Sequence, residues 1–173
     1  MKENCFEISV NGLASGETTF LGHADKEFFV KFDNYEVLGA DLRVTFVADK
    51  QLDFVDIDCN MCGTITVPCD RCMEPVAMPV STGACFRLRL RGEAAAAEDS
   101  EEYEEVFLPE GSDILELGQE VYDYSLLALP LQRFHKDGEC DPAALACLSE
   151  GEGEESEGPV DTPFSNLAEM FKK

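Results

Sequence analysis

The chain has no tryptophan, only 2 histidines, and 13 lysines and arginines against 36 aspartates and glutamates. The formal net charge is therefore −23 over 173 residues. So few basic side chains argue against broad binding to a phosphate backbone, which requires Lys and Arg to displace condensed counterions. The anionic face of a cytoplasmic membrane leaflet is disfavoured for the same reason. No apolar run is long enough to span a bilayer, and no membrane partner is expected. The opening MKENCFEISV carries no apolar stretch of signal-peptide length, so a cytoplasmic setting is expected. There is no G-x-S-x-G, no phosphate-cradling glycine loop and no H-E-x-x-H. Carboxylates abound, but nothing singles out an acid/base pair. Neither enzymatic activity nor a small-molecule substrate is expected. His23 follows Gly22 and reads as a loop residue.

What the chain does have is 45% hydrophobic residues, 12 phenylalanines and 8 cysteines. That is enough to bury a core in one domain of ordinary size. The acids are unevenly spread. Residues 93–105 carry seven carboxylates and residues 149–161 carry six, with no basic residue in either stretch. Removing those thirteen charges from −23 leaves −10 for the rest of the chain. The second stretch is rich in Gly, Ser and Glu, the composition of a flexible linker. A basic protein is the electrostatic complement of such a surface.

The first ninety residues alternate with a period of two, the pattern of half-buried strands. Phe6, Ile8 and Val10 begin it. Phe28, Val30 and Phe32 follow, then Leu42, Val44 and Phe46, then Val55, Ile57 and Cys59, then Ile65 and Val67, and finally Phe86, Leu88 and Leu90. Short connections favour antiparallel pairing and a partly open, barrel-like sheet. Beyond the first acidic stretch, Leu117, Val121, Tyr124 and Ala128 follow helical spacing, with Ser112 and Asp113 as candidate caps and Pro130 closing the segment. A short helix is expected to start at Asp141-Pro142. Phe164, Leu167, Ala168 and Phe171 again follow helical spacing, ahead of Lys172 and Lys173. The expected fold is α+β: a mostly antiparallel sheet, one central helix and a short C-terminal helix. Residues 1–148 form a single domain with an acidic loop at 93–105, 149–162 a linker and 163–173 the terminal helix.

Cysteines in a reducing compartment suggest metal sites or free thiols before disulfides. Cys69 and Cys72 form a C-x-x-C, the bite that a tetrahedral zinc uses. Cys59 and Cys62 form a second pair. If residues 63–68 are strand, the seven steps from Cys62 to Cys69 span ~23 Å, too far for one metal to take both pairs. A bend near Asn60-Met61 is expected, with Cys59 and Cys62 as ordinary apolar residues. His135 and Cys140 supply a further half-site after the central helix. With Cys69 and Cys72 they would make a closed Cys₃His set. A redox pair is the other reading of Cys69/Cys72, but Pro75 leaves little room for the helix such a pair requires. Cys5, Cys85 and Cys147 stand at no ligand spacing and read as buried thiols.

The run GTITVPCDRCMEP from Gly63 to Pro75, a glycine and an alternating strand leading into C-x-R-C, resembles the hallmark of the YceD family. The segment from Leu117 to His135, with Leu126–Pro130 and then Cys140, resembles that family's second block. Pro163–Ala168 is similar to its C-terminal block. Cys59, Cys62 and Met73 depart from the usual pattern. The resemblance implies a small acidic cytoplasmic bacterial protein needed for accumulation of large-subunit ribosomal RNA. It implies a role in ribosome assembly, without a known enzymatic activity. It maps onto Cys69, Arg71, Cys72, His135 and Cys140 and strengthens the case for a shared zinc site. The implied partners are basic ribosomal proteins or the assembling large subunit. Direct contact with RNA through Arg87, Arg89 and Arg91 is the alternative. Arg71 is either a salt-bridge partner of the acidic surface or a contact point for the partner. Phe164, Leu167 and Phe171 either dock on the partner or pack back on the domain.

Overall fold

A computed structural model describes residues 6–90, 103–109 and 111–150. The chain is α+β, dominated by a five-stranded sheet. Its elements in order are β1 (Glu7–Ser9), β2 (Gly16–Asp25), α1 (Lys26–Val30), β3 (Gly39–Lys50), β4 (Phe54–Pro68), β5 (Pro75–Arg89), β6 (Glu104–Val106), β7 (Ile114–Glu116), α2 (Gly118–Leu127) and α3 (Pro142–Glu150). The large sheet has the order β2-β3-β4-β5-β6, and β1 and β7 form a separate two-stranded sheet. Neighbours β2 to β5 pair antiparallel, whereas β5 and β6 run parallel. The sheet stays open and does not close into a barrel. Among the described residues no helix is long and apolar enough to cross a membrane.

The alternation seen in the sequence sorts the two faces of this sheet. Leu42, Val44, Phe46 and Ala48 on β3 are buried, as are Val55, Ile57, Cys59, Met61, Ile65 and Val67 on β4. Val76, Met78, Val80, Ala84, Phe86 and Leu88 of β5 match them across the register, for example Ile57↔Phe86 and Ile65↔Met78. One face is therefore core. It is covered by β1, β7, α1 and α2, which contribute Ile8, Leu115, Phe28, Phe29, Leu117 and Val121. Lys50 reaches across to donate to the carbonyls of Val10 and Leu13 at 2.8 and 3.2 Å, fastening this cover to β3.

Four local expectations are corrected. Phe28, Val30 and Phe32 are not a strand. Asp25 accepts from the Phe28 N–H at 3.0 Å, an N-cap that starts α1, and Phe28 and Phe32 meet at i, i+4 with ring centroids 5.2 Å apart. Phe28 also meets Phe6 at 4.9 Å and Phe29 at 5.3 Å, and such edge-on pairs contribute about 0.5–1.5 kcal/mol each beyond burial. The bend expected near Asn60-Met61 is absent, because β4 runs unbroken through 15 residues with Met61 in the core opposite Thr82. Ser112 and Asp113 do not cap α2. Ile114–Glu116 pair with β1 first, and α2 starts only at Gly118, with no side-chain cap. His23 likewise lies within β2 rather than a loop, 2.8 Å from Asp41. The helix expected at Pro142 is present as α3. The linker at 149–162, residues 93–102 of the acidic loop, Arg91, Cys5 and the terminal segment with Phe164, Leu167 and Phe171 lie outside the described residues, apart from the backbone of 149 and 150.

Candidate metal centre

The ladder between β4 and β5 is paired from Phe54↔Arg89 to Pro68↔Pro75. A proline on each strand ends it, since neither can donate a further ladder bond. Residues 69–74 close the turn. The Cys69 N–H donates to the Glu74 carbonyl and the Met73 N–H to the Cys69 carbonyl, both at 2.9 Å. Met73 takes the left-handed conformation at φ 62°. This tight turn leaves both Cys69 and Cys72 buried.

The second half of the site arrives with the chain after α2. Asp70 and Arg133 clasp each other in both directions. The Asp70 N–H donates to the Arg133 carbonyl at 2.9 Å, and the Arg133 N–H donates to the Asp70 carboxylate at 2.7 Å. The guanidinium adds a bond of 3.1 Å to the same carboxylate. These Arg133 donors hold the Asp70 carboxyl below its usual range. Two residues on, His135 faces the turn. The chain reverses at Gly138, with φ 85°, and Cys140 returns just before α3.

Cys69, Cys72, His135 and Cys140 are thereby gathered, with one ligand atom of each within 4.8 Å of all the others. Cys69 Sγ lies 3.9 Å from Cys140 Sγ. His135 Nδ1 lies 3.4 Å from Cys72 Sγ and 3.8 Å from Cys140 Sγ. Nε2 of the same ring is 3.1 Å from the Pro75 carbonyl, which can only accept. That contact assigns the proton of the neutral ring to Nε2 and turns the Nδ1 lone pair toward the sulfurs. The four donors form a set that can hold a metal ion.

The electrostatics favour thiolate at one sulfur, Cys69, and the thiol at Cys140. Burial works to raise Cys69, but backbone N–H groups of Cys72, Arg71 and His135 outweigh it and bring the thiol down to about 6. The Arg71 N–H stands 3.5 Å from this sulfur. Burial pushes Cys140 up to about 11, reinforced by Cys69 and Cys72. The Cys69 sulfur holds His135 above its ordinary value. One negative sulfur beside a readily protonated imidazole is the charge pattern that a cation would replace.

A family model described as large ribosomal RNA subunit accumulation protein YceD matches residues 57–171. The chain belongs to the YceD family. Neither the comparison with curated proteins nor that with solved structures returned a match. The YceD match takes in both arms of the cysteine–histidine cluster and begins inside β4.

The remaining candidates are not drawn into the cluster. Cys59 and Cys62 lie on opposite faces of β4, one buried and one exposed, so they offer no shared bite. Cys147 is exposed on α3 and Cys85 half-buried on β5, contrary to the buried role expected of them, because α3 is exposed along most of its described length and Cys85 alternates with the buried Ala84 and Phe86. Arg71 sits with its guanidinium 4.2 Å from the Phe134 ring centroid and 3.9 Å from Asp137. Arg87 makes two bonds to Asp56, of 2.6 and 2.8 Å, between the rings of Phe54 and Tyr103. Arg89 pairs with Glu105 at 2.6 Å. The Asp70–Arg133 clasp and the Pro75 carbonyl were not legible in the sequence, since both depend on which loops meet.

Proposed function

We propose that this protein is a non-enzymatic bacterial ribosome-biogenesis factor that supports accumulation of large-subunit ribosomal RNA. Membership of the YceD family is the observation that carries this reading. In it, Cys69, Cys72, His135 and Cys140 hold a zinc ion as a structural staple. A tetrahedral zinc with bonds of about 2.3 Å to sulfur and 2.0 Å to nitrogen puts sulfurs about 3.8 Å apart and sulfur and nitrogen about 3.5 Å apart. The separations of 3.9, 3.4 and 3.8 Å are close to those edges. Four protein donors leave no open position, so the ion's chemistry is to fix the two loops together rather than to activate water. A reducing cytoplasm is the compartment that keeps such donors as thiols.

The acidic surface favours basic ribosomal proteins as partners over direct contact with RNA. The pairing of Arg87 with Asp56 and of Arg89 with Glu105 supports that choice, because cations engaged by carboxylates are poorly available to phosphates. The competing readings are a zinc-stabilised interaction module with no ribosomal role and a redox protein. The redox reading is weakened by the turn after Cys72, which leads directly into β5 and provides no helix to stabilise an attacking thiolate.

Affinity capture from bacterial lysate tests the main reading. Enrichment of large-subunit proteins or their RNA supports it, and a gentle-salt capture without them overturns it. Elemental analysis of protein purified without added metal should find one zinc per chain. Zinc retained in full by Cys140→Ser would sink the shared site.

A further inference from the structure

Beside the 69–74 turn lies an open groove of about 590 Å³, lined by Asp33, Tyr35, Glu36, Pro68, Met73 and Arg133 together with Cys69 and Asp70. A second groove of about 300 Å³ adjoins it and shares Glu36 and Arg133. Leu129, Pro130 and Leu131 line that second lobe. Several of these side chains are far more exposed than apolar residues of a packed domain need be: Tyr35 is 71%, Met73 72% and Leu131 102% exposed.

The walls are held in place. Asn34 accepts from the N–H groups of Glu36 and Val37 at 3.0 and 3.3 Å and donates to the Tyr122 hydroxyl at 3.1 Å. The Leu38 N–H donates to the Thr66 carbonyl at 2.8 Å. The loop carrying Asp33, Tyr35 and Glu36 is thus fastened to α2 and β4. The opposite wall is the turn itself, with Met73 projecting from it, and Arg133 is fixed by Asp70. A surface ordered before binding loses less entropy when a partner arrives.

The charge of the groove is one-sided. Asp33, Glu36 and Asp70 line it against a single cation, Arg133. Arg133 is committed to Asp70 at 3.1 Å and lies 4.0 Å from Glu36. Among the described residues Asp33 enters no ion pair. A groove lined by apolar side chains and surplus carboxylate is complementary to a chain that offers both cations and apolar side chains.

We propose that this two-lobed groove docks an extended basic segment of a partner protein. A Lys or Arg is set against Asp33 and Glu36, and an apolar side chain enters between Tyr35 and Met73. The proposal takes from the reading above only that the partner is a basic protein.

The test uses the full chain and fluorescein-labelled synthetic peptides, read by fluorescence anisotropy. One peptide alternates Lys or Arg with Leu or Phe, a second replaces the cations by Glu, and a third is all Lys. The first should bind best. Tyr35→Ser and Asp33→Asn should each weaken it by about tenfold, the scale for losing one anchor. Asn keeps the left-handed conformation that Asp33 adopts, with φ 55°. Leu52→Ser, in the connection between β3 and β4, should change nothing. Equal loss in Leu52→Ser, equal binding of the all-Lys peptide, or no binding of the first peptide overturns the proposal. Self-association abolished by Tyr35→Ser would seat a second copy there and overturn it as well. Large-subunit capture tells the two readings apart. If Tyr35→Ser loses the peptide but keeps full capture, the groove is not the partner's seat and this proposal falls alone. If wild type discriminates the peptides but captures no large-subunit material, the ribosomal reading falls and the groove stands.

Discussion

The chain carries the C-x-x-C spacing twice, at 59–62 and at 69–72, and the two pairs meet opposite fates. The first lies inside β4. Side chains three apart on a strand point to opposite faces, so Cys59 enters the core and Cys62 faces outward. The second follows Pro68, where the ladder ends and the chain turns through Met73. There both sulfurs face the same loop and meet His135 and Cys140. A ligand motif is therefore a property of backbone path as much as of spacing. The same four-residue interval is a bite on a turn and a spacer on a strand.

The strongest challenge to that contrast is to remove one thiol from each pair. If the proposed zinc is bound, Cys69→Ser should lose it and about 4 kcal/mol or more of stability, since loss of a structural metal belongs with the most damaging single changes. Cys62→Ser should keep whatever metal the wild type carries and stay within about 0.5 kcal/mol of it, as exposed substitutions usually do. Elemental analysis and urea titration read both. Equal losses in the two variants would break the comparison.

Gly63 offers the next largest effect, because it keeps the first pair on a continuous strand. A Cβ there would clash with the Asp41 carbonyl oxygen, and backbone on both sides cannot step away. Gly63→Ala should cost roughly 3 kcal/mol, the upper range for overpacking, visible as a lower urea midpoint.

Within the first pair, the two faces should differ in reactivity. Burial pushes Cys59 up to about 12, with smaller contributions from Cys85 and Glu120. In mildly alkaline solution iodoacetamide should therefore label Cys62 in the folded protein and spare Cys59. The sign for stability follows. The unfolded thiol ionises before the folded one, so the contribution of Cys59 is intact below the ordinary thiol range and is lost as pH rises toward about 12. Rapid labelling of Cys59 would mean that β4 opens.

The smallest effect lies beneath the same strand. Glu120 is held above the ordinary carboxyl range by burial, then by Glu104 and Asp123, and its buried Oε2 has no hydrogen-bond partner among the described residues. Its folded form favours the proton, so its contribution is greatest in acid and is lost as pH rises. Glu120→Gln should raise the Tm modestly near neutral pH, and the gain should fade as pH falls through the carboxyl range. A gain that grew in acid would contradict this.

How far the sequence discloses the fold depends on which period is unambiguous. Alternation locates β3, β4 and β5, because each has one buried and one wet face. It misleads at Phe28, Val30 and Phe32, where Phe28 and Phe32 satisfy helical spacing as well and the Asp25 cap decides for the helix. It also cannot show that Ile114–Glu116 will pair with β1 before α2 begins, since that depends on a partner strand more than a hundred residues away. The site divides in the same way. Donor chemistry nominates Cys69, Cys72, His135 and Cys140. The Asp70–Arg133 clasp, the Pro75 acceptor and the groove beside them exist only once the two loops meet.

A metal shared by the two loops would have a consequence in polymer terms. Cys69 and Cys140 are separated by 71 positions in the chain. A cross-link there removes a ring closure's worth of freedom from the unfolded chain, about 4 kcal/mol for a ring of that size. The cost of closing a ring grows only with the logarithm of its length, and doubling it adds about 0.6 kcal/mol. The interval between the two arms includes residues 93–102. Lengthening or shortening the acidic stretch therefore changes closure by a few tenths of a kcal/mol at most. A metal closing the 69–140 interval would leave this chain a segment whose length can drift while the domain stays shut.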